Sequence, residues 1–441
     1  MRQCDLHKLS LFPLATKVDS RGHLHIGGCD CVGLTKKFGT PLYVFDEDTL
    51  RSRCREFKTE FTKRYSNTVI LYASKAFLNR ALAAILKEEG LGLDVVSGGE
   101  LSLAQSMDFP RENVYFHGNN KTPEELKLAL DWGIGRIVVD NFDELELLNS
   151  LAQKTGVRQN ILLRLTPGVD PHTHRHTTTG ILDSKFGFLL ADGQAETAVT
   201  KAMAASNLNL VGLHFHLGSP IPDISPYEAA ISLVLNFARE IKDRHGFSLD
   251  EFSTGGGFAI RYTLDQQIPS IADYAEAITA TVSSLANELG LTPPKLIIEP
   301  GRAIVAQAGV ALYTVGSIKE IPGVRKYVCV DGGMGDNIRP ALYEARYEAL
   351  VANKVNDDES TKVTIAGKYC ESGDILARDV NLPPVSAGDI IAIPVSGAYS
   401  IPMSSNYNMV LRPAIAMVKD GNVRLTRKRE TYKDLMRLDV I

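Results

Sequence analysis

Val69-Ile70-Leu71-Tyr72-Ala73-Ser74 is a short apolar run of strand length. Arg80–Glu89 follows with apolar residues at helical spacing, and Leu93-Asp94-Val95-Val96 is a second short apolar run. Read outward, this strand–helix–strand unit recurs. Further candidate strands are Val114–Gly118, Arg136–Asp140, Ile161–Thr166, Leu210–Gly218, Glu251–Gly257 and Lys295–Gly301. Between them lie amphipathic stretches such as Pro123–Trp132, Phe142–Lys154 and Tyr274–Leu289. Thr122-Pro123-Glu124-Glu125 is a helix start, with Thr as N-cap, Pro in the first turn and acids at the positive dipole end. Alternation of this kind implies parallel strands joined by right-handed crossovers. Eight strands in about 230 residues fit a TIM-like (β/α)8 barrel, whose usual size is about 250. The competing doubly wound sheet lacks its dinucleotide signature, since no G-x-G-x-x-G follows the first strand.

Beyond Arg302 the texture changes. Val310–Val315, Lys326–Val330, Lys362–Ala366, Asp389–Val395 and Ala414–Lys419 read as strands with little helix between them, and Lys419-Asp420-Gly421-Asn422 is a hairpin turn. A chain of 441 residues is expected to form more than one domain. The expected plan is residues 41–302 as the barrel and 303–441 as a β-sandwich or β-barrel domain, joined by strand-like residues 1–40. The net charge of −4 provides no overall basic field for nucleic acid, and no apolar run is long enough to span a bilayer. Asp5, His7 and Lys8 interrupt any signal-peptide plan, so cytoplasmic residence is expected. Six scattered cysteines suit reduced thiols. No metal is expected: the spacing of His23, His25, Cys29 and Cys31 suits a strand face better than a zinc site, and His172, His174 and His176 fall in a Pro- and Thr-rich loop.

A barrel draws its catalytic residues from the C-terminal ends of several strands. Here the first strand runs into Lys75, the sixth carries His214-Phe215-His216-Leu217-Gly218-Ser219, the seventh ends Gly255-Gly256-Gly257, and the eighth ends Glu299-Pro300-Gly301-Arg302. An isolated lysine at a strand end is ordinarily a snorkelling surface residue. The functional alternative is an amine desolvated enough to form a Schiff base. Three glycines are either a turn or a backbone cradle for a phosphate. His216, beside the alternating His214, is either a satisfied strand histidine or a flat ring that stacks on a cofactor. Glu299 could keep a pyridine nitrogen protonated. Each signal is weak alone, but four such endings on one rim describe a pyridoxal-phosphate (PLP) pocket. A second cluster, Cys370-Glu371-Ser372-Gly373-Asp374, puts a thiol beside carboxylates. It is either an exposed turn or a proton donor, since an ordinary thiol titrates near 8.5.

The set Tyr-Ala-Ser-Lys, His-x-Gly-Ser, Gly-Gly-Gly, Glu-Pro-Gly-Arg, Cys-Glu-Ser and Gly-Ala-Tyr, in order between Pro41 and Pro413, resembles the fold-type III PLP decarboxylases. Four stretches resemble the branch acting on meso-diaminopimelate: His117–Lys121, Gly168-Val169-Asp170 through Thr179-Gly180 to Lys185-Phe186-Gly187, Ile338–Tyr343, and Met403–Asn408. The resemblance implies decarboxylation at the D centre to give L-lysine, the last step of lysine biosynthesis. It implies Lys75 as the PLP lysine, His216 as the stacking residue, Ser219 with Gly255, Gly256 and Gly257 around the phosphate, and Glu299 at the pyridine nitrogen. Pro300, Gly301, Arg302 and Tyr399 complete the cofactor site. Arg302, Arg339, Tyr343 and Tyr399 line the substrate site, with both arginines and Tyr343 on the distal carboxylate and Glu371 on the distal ammonium. Cys370, the expected second acid, and Glu371 would complete the site of the partner in a homodimer. Pro220, Phe258-Ala259-Ile260 and Met334-Gly335-Asp336-Asn337 depart from the usual pattern without removing a catalytic group. The alternatives are a related decarboxylase for ornithine, lysine or a carrier-bound glutamyl group, an alanine-racemase-like enzyme, and a non-catalytic PLP carrier.

Overall fold

The computed structural model describes residues 7–170, 179–181 and 183–441. His172, His174 and His176, and most of the loop around them, lie outside the described residues. The chain divides into two compact units. One comprises residues 54–259 and 268–301, and the other residues 1–53, 260–267 and 302–441.

The first unit is a closed barrel of eight parallel strands: Thr68–Ala73, Gly92–Val95, Val114–Phe116, Arg136–Val139, Gln159–Thr166, Leu208–Phe215, Glu251–Ser253 and Lys295–Ile298. Closure is made where the fourth strand pairs with the fifth, Ile137 opposite Ile161, and the eighth with the first, Ile297 opposite Val69. A helix follows each of the first seven strands, from Arg80–Glu88 to Ile271–Glu288. Leu71, Tyr115, Val138, Leu162, Val211 and Ile297 pack together from six different strands. Thr122 accepts from the Glu125 amide while the Glu125 carboxylate accepts from the Thr122 amide, so the expected helix start is a full capping box, a feature worth about 1 kcal/mol.

Three strands stop three or four residues short of their expected ends. The sixth ends at Phe215 rather than Gly218, the seventh at Ser253 rather than Gly257, and the eighth at Ile298 rather than Gly301. Gly218, Gly255 and Gly257 have φ of 146°, 71° and 106°, which turn the backbone out of the ladder. The residues expected to do chemistry therefore lie on turns just beyond the strands.

The second unit is a mixed sheet in the order Ile375–Leu382, Thr361–Ala366, Arg325–Val330, Gly309–Ile321, Leu42–Asp46, Ala414–Lys419, Asn422–Arg427; Ile390–Ile393 also pairs with Gly309–Ile321 and carries Leu350–Val351 on its other side. Gly309–Ile321 pairs through its first half with Leu42–Asp46 and Ile390–Ile393, and through its second with Arg325–Val330, across a register shift between Val315 and Ser317. The sequence reading drew the first boundary after residue 40. In the structure Leu42–Asp46, fully buried, pairs on both sides within this sheet, and the unit runs to Arg53. Residues 17–30 form a small three-stranded sheet of their own. Leu24, Ile26, Cys29 and Cys31 share a core with Leu42, Val44, Val310 and Leu312. Cys29 and Cys31 thus sit in that core, with the Cys29 thiol donating to the Asn422 carbonyl at 3.5 Å, while His23 and His25 pair with Asp30 and Asp19.

Candidate active site

Lys75 occupies the middle of a single helical turn, Ser74–Ala76, directly after the first barrel strand; it is exposed between buried Ser74 and Ala76. The Tyr72 hydroxyl donates to the Phe77 carbonyl at 2.7 Å and pins the turn. The Ala73 amide donates to the Pro300 carbonyl at 3.1 Å, tying the first strand's end to Glu299-Pro300-Gly301. A Cβ on Gly301 would stand 3.0 Å from the Ala73 and Ala76 Cβ atoms, so glycine allows this approach.

Glu299 is buried and surrounded by residues from neighbouring strands. Ser253 donates to its Oε1 at 2.6 Å, His214 Nε2 lies 3.2 Å from its Oε2, and His117 Nε2 lies 3.6 Å from Oε1. His117 Nε2 is also 3.7 Å from Asp94 Oδ1. Burial works to raise the Glu299 pKa, but His214, His117 and Ser253 outweigh it and hold the carboxyl well below the usual carboxylate range. Asp94 moves the opposite way: burial, then the Glu299 charge, push it far up, so it stays protonated beside its ionised neighbour. Burial keeps His117 neutral. Among the described residues, His117, His214 and Glu299 are the group close enough to hold a metal ion, and Glu299 already accepts from His214 and Ser253.

His216 accepts from the Gly256 amide at Nδ1, 3.2 Å away, and burial followed by the Lys75 charge holds its ring well below the ordinary histidine pKa. The ring is therefore neutral, fixed and half-buried. No side chain fits at the three glycines: a Cβ would come within 2.5 Å of the Phe215 carbonyl at Gly255, 2.1 Å of the Glu299 carbonyl at Gly256 and 2.5 Å of the Gly218 carbonyl at Gly257. Sequence reasoning expected their amides to face a phosphate. The Gly255 amide donates to Ser253 Oγ and the Gly256 amide to His216 Nδ1, so these two glycines also bring three strand ends together. Ser219 follows directly, half-buried. Buried Ser74 Oγ, Asp94 Oδ1, His117 Nε2, His214 Nδ1 and Thr254 Oγ1 have no hydrogen-bond partner among the described residues. A lysine, an ionised carboxylate, a flat neutral ring, a side-chain-free turn and orphaned polar atoms together fit PLP.

The sheet unit carries a different cluster. Arg339, at the start of the short helix Arg339–Tyr343, is only 6 % exposed, yet among the described residues no carboxylate lies within ion-pair distance of it. Its guanidinium donates to the Tyr347 hydroxyl and lies over the Tyr262 ring, Cζ 4.5 Å from the centroid. Burial would lower the Arg339 pKa, but Tyr262, Tyr347 and Tyr399 more than offset it. Arg302 donates to the Tyr262 hydroxyl at 2.9 Å and lies 4.7 Å from the Tyr399 centroid. Tyr343 shares the Arg339 helix and is half-buried.

Cys370 and Glu371 lie on an exposed turn. The Cys370 amide donates to Asn408 Oδ1 at 3.2 Å, Tyr407 donates to Glu371 Oε1 at 2.6 Å, and buried Asp374 closes the turn by accepting from the Met334 and Tyr369 amides. Tyr407 and Asn408 belong to the Met403–Asn408 stretch, which sequence reasoning singled out without a role. It missed Tyr262, Tyr347, Ser253 and Asp94 altogether. Tyrosines in apolar strings read as core, and only the polar neighbours in Arg261-Tyr262-Thr263 hinted otherwise.

Residues 47–306 match the model of the family described as pyridoxal-dependent decarboxylase, pyridoxal binding domain. The chain is 48% identical over 425 residues to the diaminopimelate decarboxylase of Bacillus subtilis, covering 96% of this chain and 97% of that protein. To the diaminopimelate decarboxylase of Mycobacterium tuberculosis it is 42% identical, covering 98% of each. A solved diaminopimelate decarboxylase from M. jannaschii, in co-complex with L-lysine, superposes with a TM-score of 0.91 at 38% identity, over 97% of this chain and 98% of that one.

Proposed function

The chain belongs to the diaminopimelate decarboxylases, a branch of the pyridoxal-dependent decarboxylases, and on that premise we propose how its residues divide the work. The reaction removes the carboxylate at the D centre of meso-diaminopimelate, giving L-lysine and CO2. Its cofactor is PLP, which when bound supplies a conjugated ring that takes up the electron pair left by the departing carboxylate.

Lys75 holds the cofactor covalently through Nζ. Ser219 and the Gly255–Gly257 turn would receive its phosphate, His216 would stack on it, and Pro300, Gly301, Arg302 and Tyr399 would complete its surroundings. Glu299, kept ionised by Ser253 and His214, holds the proton on the ring nitrogen. Arg302, Arg339 and Tyr343 bind the distal carboxylate of the substrate, and Glu371 its distal ammonium. Cys370 Sγ delivers the proton that replaces the lost carboxylate. Cys370 and Glu371 serve the partner's site in an obligatory homodimer; their exposure on a turn fixed by Tyr407 and Asn408 suits residues offered to a second copy. Free thiols at every described cysteine suit a cytoplasmic home.

The observation that carries the substrate assignment is Arg339. A buried guanidinium cannot shed its charge, and burying one without an anion costs several kcal/mol. A substrate with a second carboxylate supplies that anion; ornithine does not. With the holoenzyme, meso-diaminopimelate yields CO2 and L-lysine, while ornithine, lysine and glutamate yield no CO2. Release of CO2 from ornithine but not from meso-diaminopimelate would overturn the assignment. The dimer has its own test. Lys75→Ala and Cys370→Ala are each inactive alone, and subunits of the two exchanged in equal amounts regain about a quarter of the wild-type activity, since half the dimers are mixed and each carries one intact site. No recovery after demonstrated exchange places Cys370 in its own subunit's site.

A further inference from the structure

Arg302 and Arg339 share one tyrosine. Tyr262 lies in the short segment, residues 260–267, that the chain contributes to the sheet unit after the glycine turn. Its hydroxyl accepts from Arg302, and its ring face lies beneath Arg339. Tyr347 meets that ring edge-on, centroids 5.4 Å apart at 89°, and accepts from Arg339 on the other side. All four side chains are buried, none more than 7 % exposed.

Two guanidiniums near one another repel, and in a buried setting the repulsion is weakly screened. Left to packing alone, they would splay apart. An aromatic ring with a phenol oxygen can attract both at once, one cation at the oxygen and the other at the electron-rich face. If Tyr262 only filled space, its hydroxyl would have no need to meet Arg302. A pair of cations held in place also repels a substrate that ends in a bare ammonium and attracts one that ends in a carboxylate.

We infer that Tyr262 is a specificity-determining positioning residue: its hydroxyl orients Arg302 and its ring seats Arg339, so that the two guanidiniums together select a substrate with a distal carboxylate. The inference rests on the proposal that these arginines hold that carboxylate.

The test uses the holoenzyme with two competitive inhibitors of meso-diaminopimelate decarboxylation: L-lysine, which keeps the distal carboxylate, and 1,5-diaminopentane, which lacks it. Tyr262→Phe keeps the ring and deletes the oxygen. It is expected to raise the KM for meso-diaminopimelate and the inhibition constant of L-lysine about tenfold, the size expected for a hydrogen bond to a charged group. Its kcat and the inhibition constant of 1,5-diaminopentane stay as in the wild type. Unchanged constants for both inhibitors, or an equal loss for both, overturn the inference.

Arg339→Ala separates this from the underlying reading. If it weakens both inhibitors equally, the arginines do not hold the distal carboxylate and both ideas fall. If it weakens L-lysine alone while Tyr262→Phe does not, only the role of Tyr262 falls. Should Tyr262→Phe fail to fold, Tyr347→Phe, which removes one acceptor from Arg339, must show the same selective loss at smaller size. An unselective result there overturns the inference equally.

Discussion

Two buried carboxylates, one in each unit, meet opposite fates. Glu299 in the barrel is 5 % exposed and stays ionised, because Ser253 and His214 aim donors at both of its oxygens. Asp336 in the sheet unit is 3 % exposed and accepts from the Tyr313 and Tyr43 hydroxyls and the Gly333 amide, yet its pKa is pushed up to about 6, burial being the largest cause. Both have hydrogen bonds, so the number of donors does not separate them. Their neighbours do. Glu299 faces the His214 and His117 rings, whose Nε2 atoms lie against its two oxygens, whereas Asp336 faces phenols and a second carboxylate, Asp374. The barrel thus keeps an anion ready for a protonated ring nitrogen. The sheet unit keeps a cation, Arg339, ready for a carboxylate and suppresses its own buried acid. Each region carries the charge that its proposed ligand lacks.

The largest effect should come from breaking the barrel side of this contrast. Glu299→Gln keeps the shape and removes the charge that holds the ring-nitrogen proton. The variant is expected to bind PLP, seen as retained visible absorbance, while kcat falls about 10²- to 10³-fold, as for loss of one group placed to stabilise charge in a transition state. The sign with pH follows from the depressed pKa. A carboxyl held below its unfolded value contributes stability above that value and loses it only as pH falls through the folded pKa. Glu299 therefore stays charged through the whole range in which rates are measured, and its loss cannot be rescued by raising pH. A Glu299→Gln enzyme turning over at the wild-type rate would mean that the barrel carboxylate does not hold this proton.

The same contrast explains what could be read in advance. Barrel strands are buried on both faces, so each is a short continuous apolar run between helices, and all eight were legible. Their ends were not, because the positive φ of Gly218, Gly255 and Gly257 leaves no mark in a list of residue types. Nor does an apolar run reveal which sheet it joins: Leu42–Asp46 looks like a barrel strand and pairs elsewhere. Among candidate site residues, Lys75, His216, Glu299 and Arg339 stood out as polar groups in apolar settings. Tyr262 and Tyr347 did not, since a buried tyrosine and a tyrosine beneath a guanidinium have the same sequence signature. Ser253 was hidden by its size, and Asp94 by lying inside an apolar strand.

Asp336 offers the smallest and cleanest probe of the sheet side, because its effect should be read in stability rather than in turnover. Its folded pKa of about 6 lies above the ordinary 3.8. Such a group contributes stability that is complete below the unfolded pKa and is lost as pH rises through the folded one. The difference of 6 − 3.8, about two pKa units, corresponds to roughly 3 kcal/mol between the two limits. Asp336→Asn keeps an acceptor for Tyr43 and Tyr313 but cannot ionise. The unfolding free energy of the wild type minus that of the variant, from urea titrations, should therefore fall as pH rises from 4 to 7, mostly between 4 and 6, and level off above. A flat difference would mean that Asp336 ionises as readily in the fold as outside it. The phenols would then solvate its charge as well as Ser253 and His214 solvate that of Glu299, and the neighbouring histidine rings would not be what distinguishes the two regions.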